Sequence, residues 1–583
     1  ATIIHWLKTY TANDMAESHF FVNQTVKIKL KATTYSYSFL PAISIRNATS
    51  TVVANQQMIN ETVPVNNTAI WVYNFTPPLP GWYSVDVVAD IYNLSTYNNL
   101  FFSGLPWQTE WRDWNNTNYP FRMQINISEL NNTERYFEPI DLNLNFSYKA
   151  TPNSIRVAYY NGSHLMDIPS QIYNSTTDDT YLTSANVVWL ATIANNTNKT
   201  YYVYYSRADI PPQNYPTDLT FSNQSTSYTI NNKIFTLIFN KTRGGVLDEI
   251  VYKRTNNSYQ STEGAIQQSP FINTPSVYDL YNSTGSLKSL TTSIINGSQF
   301  IQYKIGGTTD ISIFNLTYKI YAHAPFIILE TNTSSKSSTS WDTYRDQFMF
   351  INSLSMDVIN YRNTTGIYQV PITTTDLKNL LWLGLYKNGR DAFGLIFLNE
   401  SKTRPYDSTL YFSHFSGYNR ISMIRYAGTV SPSDWFYSKV AIVLWDSRNN
   451  NYTELNNTYL MLTSPLNKSI GASNTSDSTS PYFTQNTSLA TSDTNNATCI
   501  SYWYDDLELS YASITVNSSA YHNTTIQTIP GNVNASWVNH TIIAENLEAG
   551  NVTCSITVYD IAGNANTTNI TFTVSDATPP YFI

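Results

Sequence analysis

The chain has 583 residues, room for about four domains at roughly 150 residues each. Only 13% of them are charged, against a usual share of about 25%, while 42% are apolar and 14% aromatic, which excludes a disordered chain and predicts several buried cores. A net charge of -8 without a basic cluster argues against a nucleic-acid or anionic-membrane partner, and no apolar run reaches the roughly 18 residues of a membrane span.

Asn, Ser and Thr replace the missing charge, and Tyr reaches 45 residues, so the expected surface is neutral and rich in hydroxyls. The first residue, Ala1, with neither Met nor an apolar leader, reads as the product of signal-peptide removal and predicts a secreted, extracellular chain. Residues 1–20 are an apolar tail carrying Ile3, Ile4, Trp6, Leu7 and Tyr10. A segment of this type pairs with an edge of its own chain or is donated to a neighbouring copy, and it is read as a candidate donor strand. From there period-2 alternation recurs to the end, with no long stretch of helical spacing, so the expected fold is all-β, several β-sandwich domains in tandem.

Residues 21–105, with strands at 26–31, 71–75 and 80–87, suit a small immunoglobulin-like sandwich. Residues 106–215 form a second β-sandwich. Its stretches Val157-Ala158-Tyr159-Tyr160-Asn161-Gly162, Ile168-Pro169-Ser170-Gln171 and Asn198 to Tyr205 resemble a β-rich domain of archaeal and bacterial surface proteins, which implies a location and no chemistry. Residues 216–466 run for about 250 residues without a break, which predicts a large sandwich of two extended sheets. Its opening, Ile234 to Phe239 and the turn Arg243 to Asp248, resembles the large sandwiches of carbohydrate-active enzymes, a likeness of fold alone. Residues 467–480 are a Ser/Thr/Asn-rich linker. Residues 481–575 form a second immunoglobulin-like module, because Asp477 to Phe483 returns 99 positions later as Asp576 to Phe582. Leu547 to Cys554 and Asp560 to Asn566 resemble the last strands of tandem immunoglobulin-like modules of prokaryotic surface proteins. That resemblance implies that residues 576–583 start a next repeat or a C-terminal tail.

The strongest motif signal is Asn-x-Ser/Thr, which occurs 36 times among 65 Asn, where chance at this composition gives about 14. The acceptors are Asn23, Asn47, Asn60, Asn66, Asn74 and Asn93 in the first unit; Asn115, Asn126, Asn131, Asn145, Asn161, Asn174, Asn195 and Asn198 in the second; Asn223, Asn240, Asn256, Asn282, Asn296, Asn315, Asn332, Asn363, Asn399, Asn451 and Asn456 in the third; and Asn467, Asn474, Asn486, Asn496, Asn517, Asn523, Asn534, Asn539, Asn551, Asn566 and Asn569 in the rest. Covalent N-linked glycans are the expectation. Register agrees, since alternation in Leu142 to Tyr148 sends Asn145 and Ser147 to solvent and Leu144 and Phe146 inward, and the same holds around Asn126, Asn315 and Asn569.

Cys499 and Cys554, the two cysteines, lie about one sandwich apart and read as an inter-sheet disulfide. No zinc or other metal site is expected, because His522 and His540 lack ligand spacing. Calcium is a weak option at Asp505-Asp506-x-Glu508, which reads rather as a solvated turn. For an enzyme the candidates are His414, Tyr418 and Arg420 for proton abstraction in a polysaccharide lyase, or Asp342 and Asp346 with Glu330 as the carboxylates of a glycosidase. Structural roles outweigh both, and no catalytic residue is assigned. Residues 402–450 carry no such triplet and a mild excess of Lys and Arg, marking either a contact surface or a buried part of the sandwich.

Together these readings resemble archaeal surface-layer and appendage glycoproteins. They imply a structural subunit that polymerises through identical copies into a surface layer or filament. An adhesin or viral attachment protein with a glycan or cell-surface partner is the main alternative, and a carbohydrate-active enzyme the lesser one. The low carboxylate count predicts tolerance of acid.

Overall fold

The computed structural model describes residues 2–576 apart from 35–39, 89–95, 105–118, 254–264, 270–288, 352–357, 403–407, 447–451, 490–495 and shorter pieces between them. The described residues are strands almost throughout, arranged as the tandem sandwiches that alternation predicts.

In the first unit a four-stranded sheet, Thr2–Tyr10, Val26–Thr34, Thr68–Phe75 and Ile59–Asn60, faces a five-stranded one, His19–Phe21, Thr96–Gly104, Gly81–Val88, Ala42–Arg46 and Thr51–Gln57. Ile28 and Leu30 meet Ile43, Val85 and Phe101 between them. Of the two readings of the N-terminal tail, pairing within its own chain is the one the structure shows. Thr2–Tyr10 pairs antiparallel with Val26–Thr34, Leu7 opposite Leu30, and buries Ile4 and Leu7 in its own chain's core.

The second unit packs a five-stranded sheet against the three-stranded sheet Arg135–Ala150, Tyr181–Ile193 and Ser170–Asp178, around Ile125, Ile140, Trp189 and Val203. The fifth strand of the larger sheet is Asn467–Thr475, which pairs with Phe121–Ser128. Residues 467–475 are therefore no linker: the chain leaves the second unit after Tyr205, builds the third, and returns to finish the second. Composition misled here because Ser, Thr and Asn are also the ordinary solvent-facing strand residues of this chain.

The third unit is a large sandwich with three sheets where two were expected. A nine-stranded antiparallel sheet, with Phe326–Ser335, Trp435–Asp446 and Asp391–Lys402 at its centre, packs against two four-stranded ones. A helix, Thr453–Thr463, was not foreseen. It buries Leu455 and Met461, and docks where Gly384 and Gly394 stand opposite each other in neighbouring strands. A Cβ at Gly384 would lie 2.7 Å from the Trp445 ring and 2.9 Å from Leu455; at Gly394 the distances are 2.8 and 2.9 Å.

The last unit sets Tyr482–Leu489, Ala497–Tyr504 and Ala535–Ile542 against the four-stranded sheet His522–Thr528, Leu509–Asn517, Gly550–Asp560 and Ala565–Val574. Cys499 and Cys554 join the two sheets in a disulfide, Cα–Cα 6.5 Å apart. The second copy of the seven-residue repeat, apart from Asp576, lies outside the described residues.

The glycine pair makes a testable prediction. Gly394→Ala forces a methyl group against the fully buried Trp445 ring and Leu455, and overpacking of this kind destabilises by about 1–3 kcal/mol. The expected result is a lower urea midpoint with an unchanged slope.

Candidate functional site

The residues named for catalysis fall on four strands of two sheets. In the hairpin of Ser408–Phe415 and Tyr418–Val430, His414 stands opposite Asn419, Arg420 opposite Ser413 and Tyr418 opposite Phe415, so the Tyr and the Arg occupy positions of one parity and the His of the other. Glu330 lies in the nine-stranded sheet, 3.6 Å from Lys319 and 3.4 Å from Lys439, whereas Asp342 and Asp346 belong to a strand of another sheet. The triplet-free stretch divides: Val440 to Trp445 is sandwich core, as its bland reading had it, and 403–407 and 447–450 lie outside the described residues. Asp505 and Glu508 form no solvated turn. Both are buried, Asp505 accepts from the Glu508 amide at 2.7 Å, and Glu508 pairs with Arg207 of the second unit. Residues 506–507 lie outside the described residues. Among the described residues no cluster of three or more His, Cys, Asp or Glu is placed to hold a metal ion.

The polar residues that do converge lie where the first three units meet, around a cleft of about 700 Å³. The N-terminal strand supplies His5, Trp6 and Lys8; the second unit supplies Glu134, Tyr136 and Phe137; the third supplies His323, Leu444 and one side of the helix. Lys8 pairs with Glu134 and sits 4.9 Å over the Tyr136 ring, whose hydroxyl donates to the Thr9 carbonyl at 2.9 Å. Deeper in, Glu17 takes the amides of Ser18 and His19 at 2.9 and 3.0 Å and the ammonium of Lys199 at 2.6 Å. Ser18 donates to Thr192 at 2.5 Å, a second tie between first and second units.

His323 marks the meeting point of all three. It occupies a left-handed position, φ 59°, in a turn held by Asn232, whose side chain donates to the carbonyls of Tyr321 and Ala324. Its ring lies 4.2 Å from Trp82 of the first unit and 5.4 Å from Phe137 of the second, with Nδ1 3.2 Å from Asp218. Burial alone raises the Asp218 carboxyl, but His323 and the amides of Lys233 and His323 outweigh it and hold the carboxyl below its ordinary range. The imidazole packs on two aromatic rings and pairs with a carboxylate, an arrangement that can hold three units together.

Several titratable groups shape the pH response, among them buried His19, Glu129 and Glu138 and half-buried Asp167. Burial, reinforced by Lys199 and His323, pushes His19 down to about 3. Burial pushes Glu138 up to about 7 against the pull of Arg135, and Asp167, under the Tyr215 hydroxyl at 2.7 Å, up to about 8. Glu129 shares Arg135 with Glu138; burial opposes its charge, yet the amides of Asn196, Asn131 and Thr133 and the guanidinium hold it low. One cation thus stands between two carboxyls, and the less hydrogen-bonded one keeps its proton.

The chain matches no protein-family model and no curated protein. Among solved structures it is similar to a GH36 α-galactosidase from Geobacillus stearothermophilus, at 14% identity over 39% of this chain and 41% of that one, with a TM-score of 0.26. It is also similar to an α-galactosidase from Lactobacillus brevis (10% identity, 42% of each chain, TM-score 0.24) and a TPR-domain containing protein from Parabacteroides distasonis (8%, 55% and 57%, TM-score 0.27). The chain spans about two fifths of the length of the α-galactosidases, and at TM-scores this low the likenesses carry neither fold nor activity across.

Signs decide the pH dependence. Glu138 and Asp167 keep protons in the folded state that the unfolded chain releases above 4.5 and 3.8, so the stability they contribute is full at low pH and is lost as pH rises towards 7 and 8. His19 stays neutral in the folded state down to about 3 while the unfolded chain charges near 6.5, so its contribution is lost as pH falls below 6.5. Burial lowers His5 and His540 as well, which oppose in the same direction as His19, but the two carboxyls are moved far up and outweigh them between pH 8 and pH 5. The melting temperature is expected to rise from pH 8 to pH 5 and to level off below pH 4, where Glu129 and Asp218 begin to oppose. Asp167→Asn should flatten the rise; calorimetry showing higher stability at pH 8 than at pH 5 would contradict this account.

Proposed function

We propose that this chain is the extracellular part of an N-glycosylated cell-surface protein, and that identical copies assemble into an archaeal surface layer or filament. One observation carries the reading. Of the 36 triplet acceptors, 30 have described side chains; 25 of these are exposed and none is buried. Of the 16 other described Asn, 9 are exposed and two, Asn232 and Asn360, lie in the core. Plain compositional bias would not sort the two sets this way. Asn93, Asn115, Asn256, Asn282 and Asn451 lie outside the described residues, as does the Asn474 side chain.

The strand register supports the same reading. Asn145 and Ser147 are exposed between buried Leu144 and Phe146, Asn315 is exposed beside buried Phe314 and Leu316, and Asn569 precedes buried Ile570. Asn126 is half-buried. The acceptors are spread over all four units, so sugar would coat a tandem of sandwiches. The disulfide between the sheets of the last unit fits an oxidising, extracellular setting, and no described helix is long and apolar enough to cross a membrane.

The assembly is tested by electron microscopy of native, unreduced material. A lattice or fibre with one subunit per repeat is expected, and separate monomeric particles would overturn the proposal. Glycopeptide mass spectrometry tests the coat, with Asn145, Asn315 and Asn569 expected to carry sugar. Asn456 should be bare: it lies half-buried on the helix, its side-chain oxygen accepting from Arg362 at 3.0 Å and Trp382 at 3.3 Å.

A further inference from the structure

The three-stranded sheet of the last unit has an outer face that is largely aromatic. Cys499, Ser501, Trp503 and Val538 point inward and are fully buried, so Tyr502, Tyr504 and Trp537 point out. Trp537 stands opposite Tyr502 in the ladder, ring centroids 4.6 Å apart; Tyr502 and Tyr504 are 5.0 Å apart; and Tyr504 stacks on Tyr482 at 5.7 Å. Four rings from three strands thus tile one surface. Trp537 is 48% exposed and Tyr482 53%, so the tiled rings present aromatic surface to solvent.

Asn539 supplies a partner by position. It is exposed, two residues beyond Trp537 on the same face, with Thr541 completing its triplet two residues further along that face. Two strand residues span about 7 Å, so the first sugar linked to the Asn539 amide lies within reach of the indole. The ring face of Trp is apolar, as is the C–H face of a pyranose, and the covalent tether holds the two at high effective concentration. Among the described triplets no other has an exposed aromatic residue two positions earlier: Tyr159, Phe221, Tyr361 and Phe397, before Asn161, Asn223, Asn363 and Asn399, are half-buried. At Asn523 the aromatic residue two positions earlier is Tyr521, whose hydroxyl already accepts from the Asn523 amide at 2.8 Å; at Asn23 it is Phe21, which is buried.

We propose that Trp537, flanked by Tyr502, is the seat of the first pyranose ring of a glycan on Asn539; this rests on the glycosylation proposed above. The sugar covers the exposed indole, and the indole orders the root of the glycan.

The test is a double-mutant cycle of Trp537→Ala and Asn539→Gln in a host that N-glycosylates, with glycopeptide mass spectrometry and the melting temperature of the last unit read for each protein. With Asn539 occupied, each single change is expected to lower the melting temperature by about 4 °C, and the double change by no more than the larger single effect. Trp537→Phe, which keeps a ring face, should retain most of the difference. Additive effects with Asn539 occupied would overturn this inference and leave the glycosylation reading standing. A bare Asn539 in the unaltered protein would overturn both at this site. Self-association of Asn539→Gln that disappears in the double variant would assign the face to a second copy of the chain and likewise overturn the inference.

Discussion

One buried cation fixes the course of the chain. The Arg135 side chain is fully buried, and its guanidinium donates to Glu138 at 3.0 Å, to Glu129 at 3.1 Å and to the carbonyls of Met461 and Ser464 at 2.6 Å. Those carbonyls lie at the C-terminal end of the helix, where unpaired acceptors and the negative end of the dipole favour a cation. Burying a guanidinium is tolerable only when such partners fill its donors. The contact stands where the chain leaves the third unit, and only beyond it does Asn467–Thr475 add to the second unit's sheet. The outgoing connection is held similarly, by Arg156 donating to the Pro211 carbonyl and Tyr215 donating to Asp167. The third unit is therefore an insertion clamped at both ends.

The second unit becomes the hub of the molecule. Lys199 reaches Glu17 of the first unit, Phe137 packs beside Trp82 of the first and His323 of the third, and Arg207 pairs with Glu508 of the last. Each joint contains at least one buried or half-buried polar group whose partner lies on another unit, so separating units would strand a charge or a ring nitrogen. Domains joined by short linkers alone move relative to one another by default. Here buried ion pairs and the returning strand oppose that motion.

Strand periodicity was legible because burial enforces it: Leu144 and Phe146 go inward wherever Asn145 and Ser147 go outward. The disulfide was legible from spacing and composition. Asn467–Thr475 was not, because turn composition and wet-face strand composition coincide in a chain whose polar residues are Asn, Ser and Thr. The helix escaped for a related reason. Thr453–Thr463 carries two Asn and three Thr, has no side-chain cap at its start, and owes its place to Leu455 seated over Gly384 and Gly394, a contact set by tertiary packing. The junction was invisible in principle. Glu17 and Lys199 are 182 residues apart, Asp218 and His323 105, and nothing local in either member of a pair announces the other. The His414, Tyr418 and Arg420 grouping shows the converse, because closeness in sequence across a hairpin leaves His414 on the parity opposite to Tyr418 and Arg420.

Low charge leaves a chain of this architecture with an unusual problem at its sheet edges. Sandwich proteins blunt exposed edge strands with Lys, Pro or inward charges, since an unpaired row of amides and carbonyls is a template for another chain. With 13% of residues charged, that device is scarce here. Acceptor triplets stand at many of the edges instead: Asn60, Asn145, Asn174, Asn223, Asn486, Asn523 and Asn539 all lie in strands that end a sheet among the described residues. A glycan at such a position, under the proposed reading, occupies the volume an incoming strand would need. Edges that carry no acceptor, such as Thr51–Gln57, exposed along most of its length, remain open to pairing. Contact between copies would then be directed by where sugar is absent, with the neutral hydroxyl-rich surface adding little repulsion at any approach.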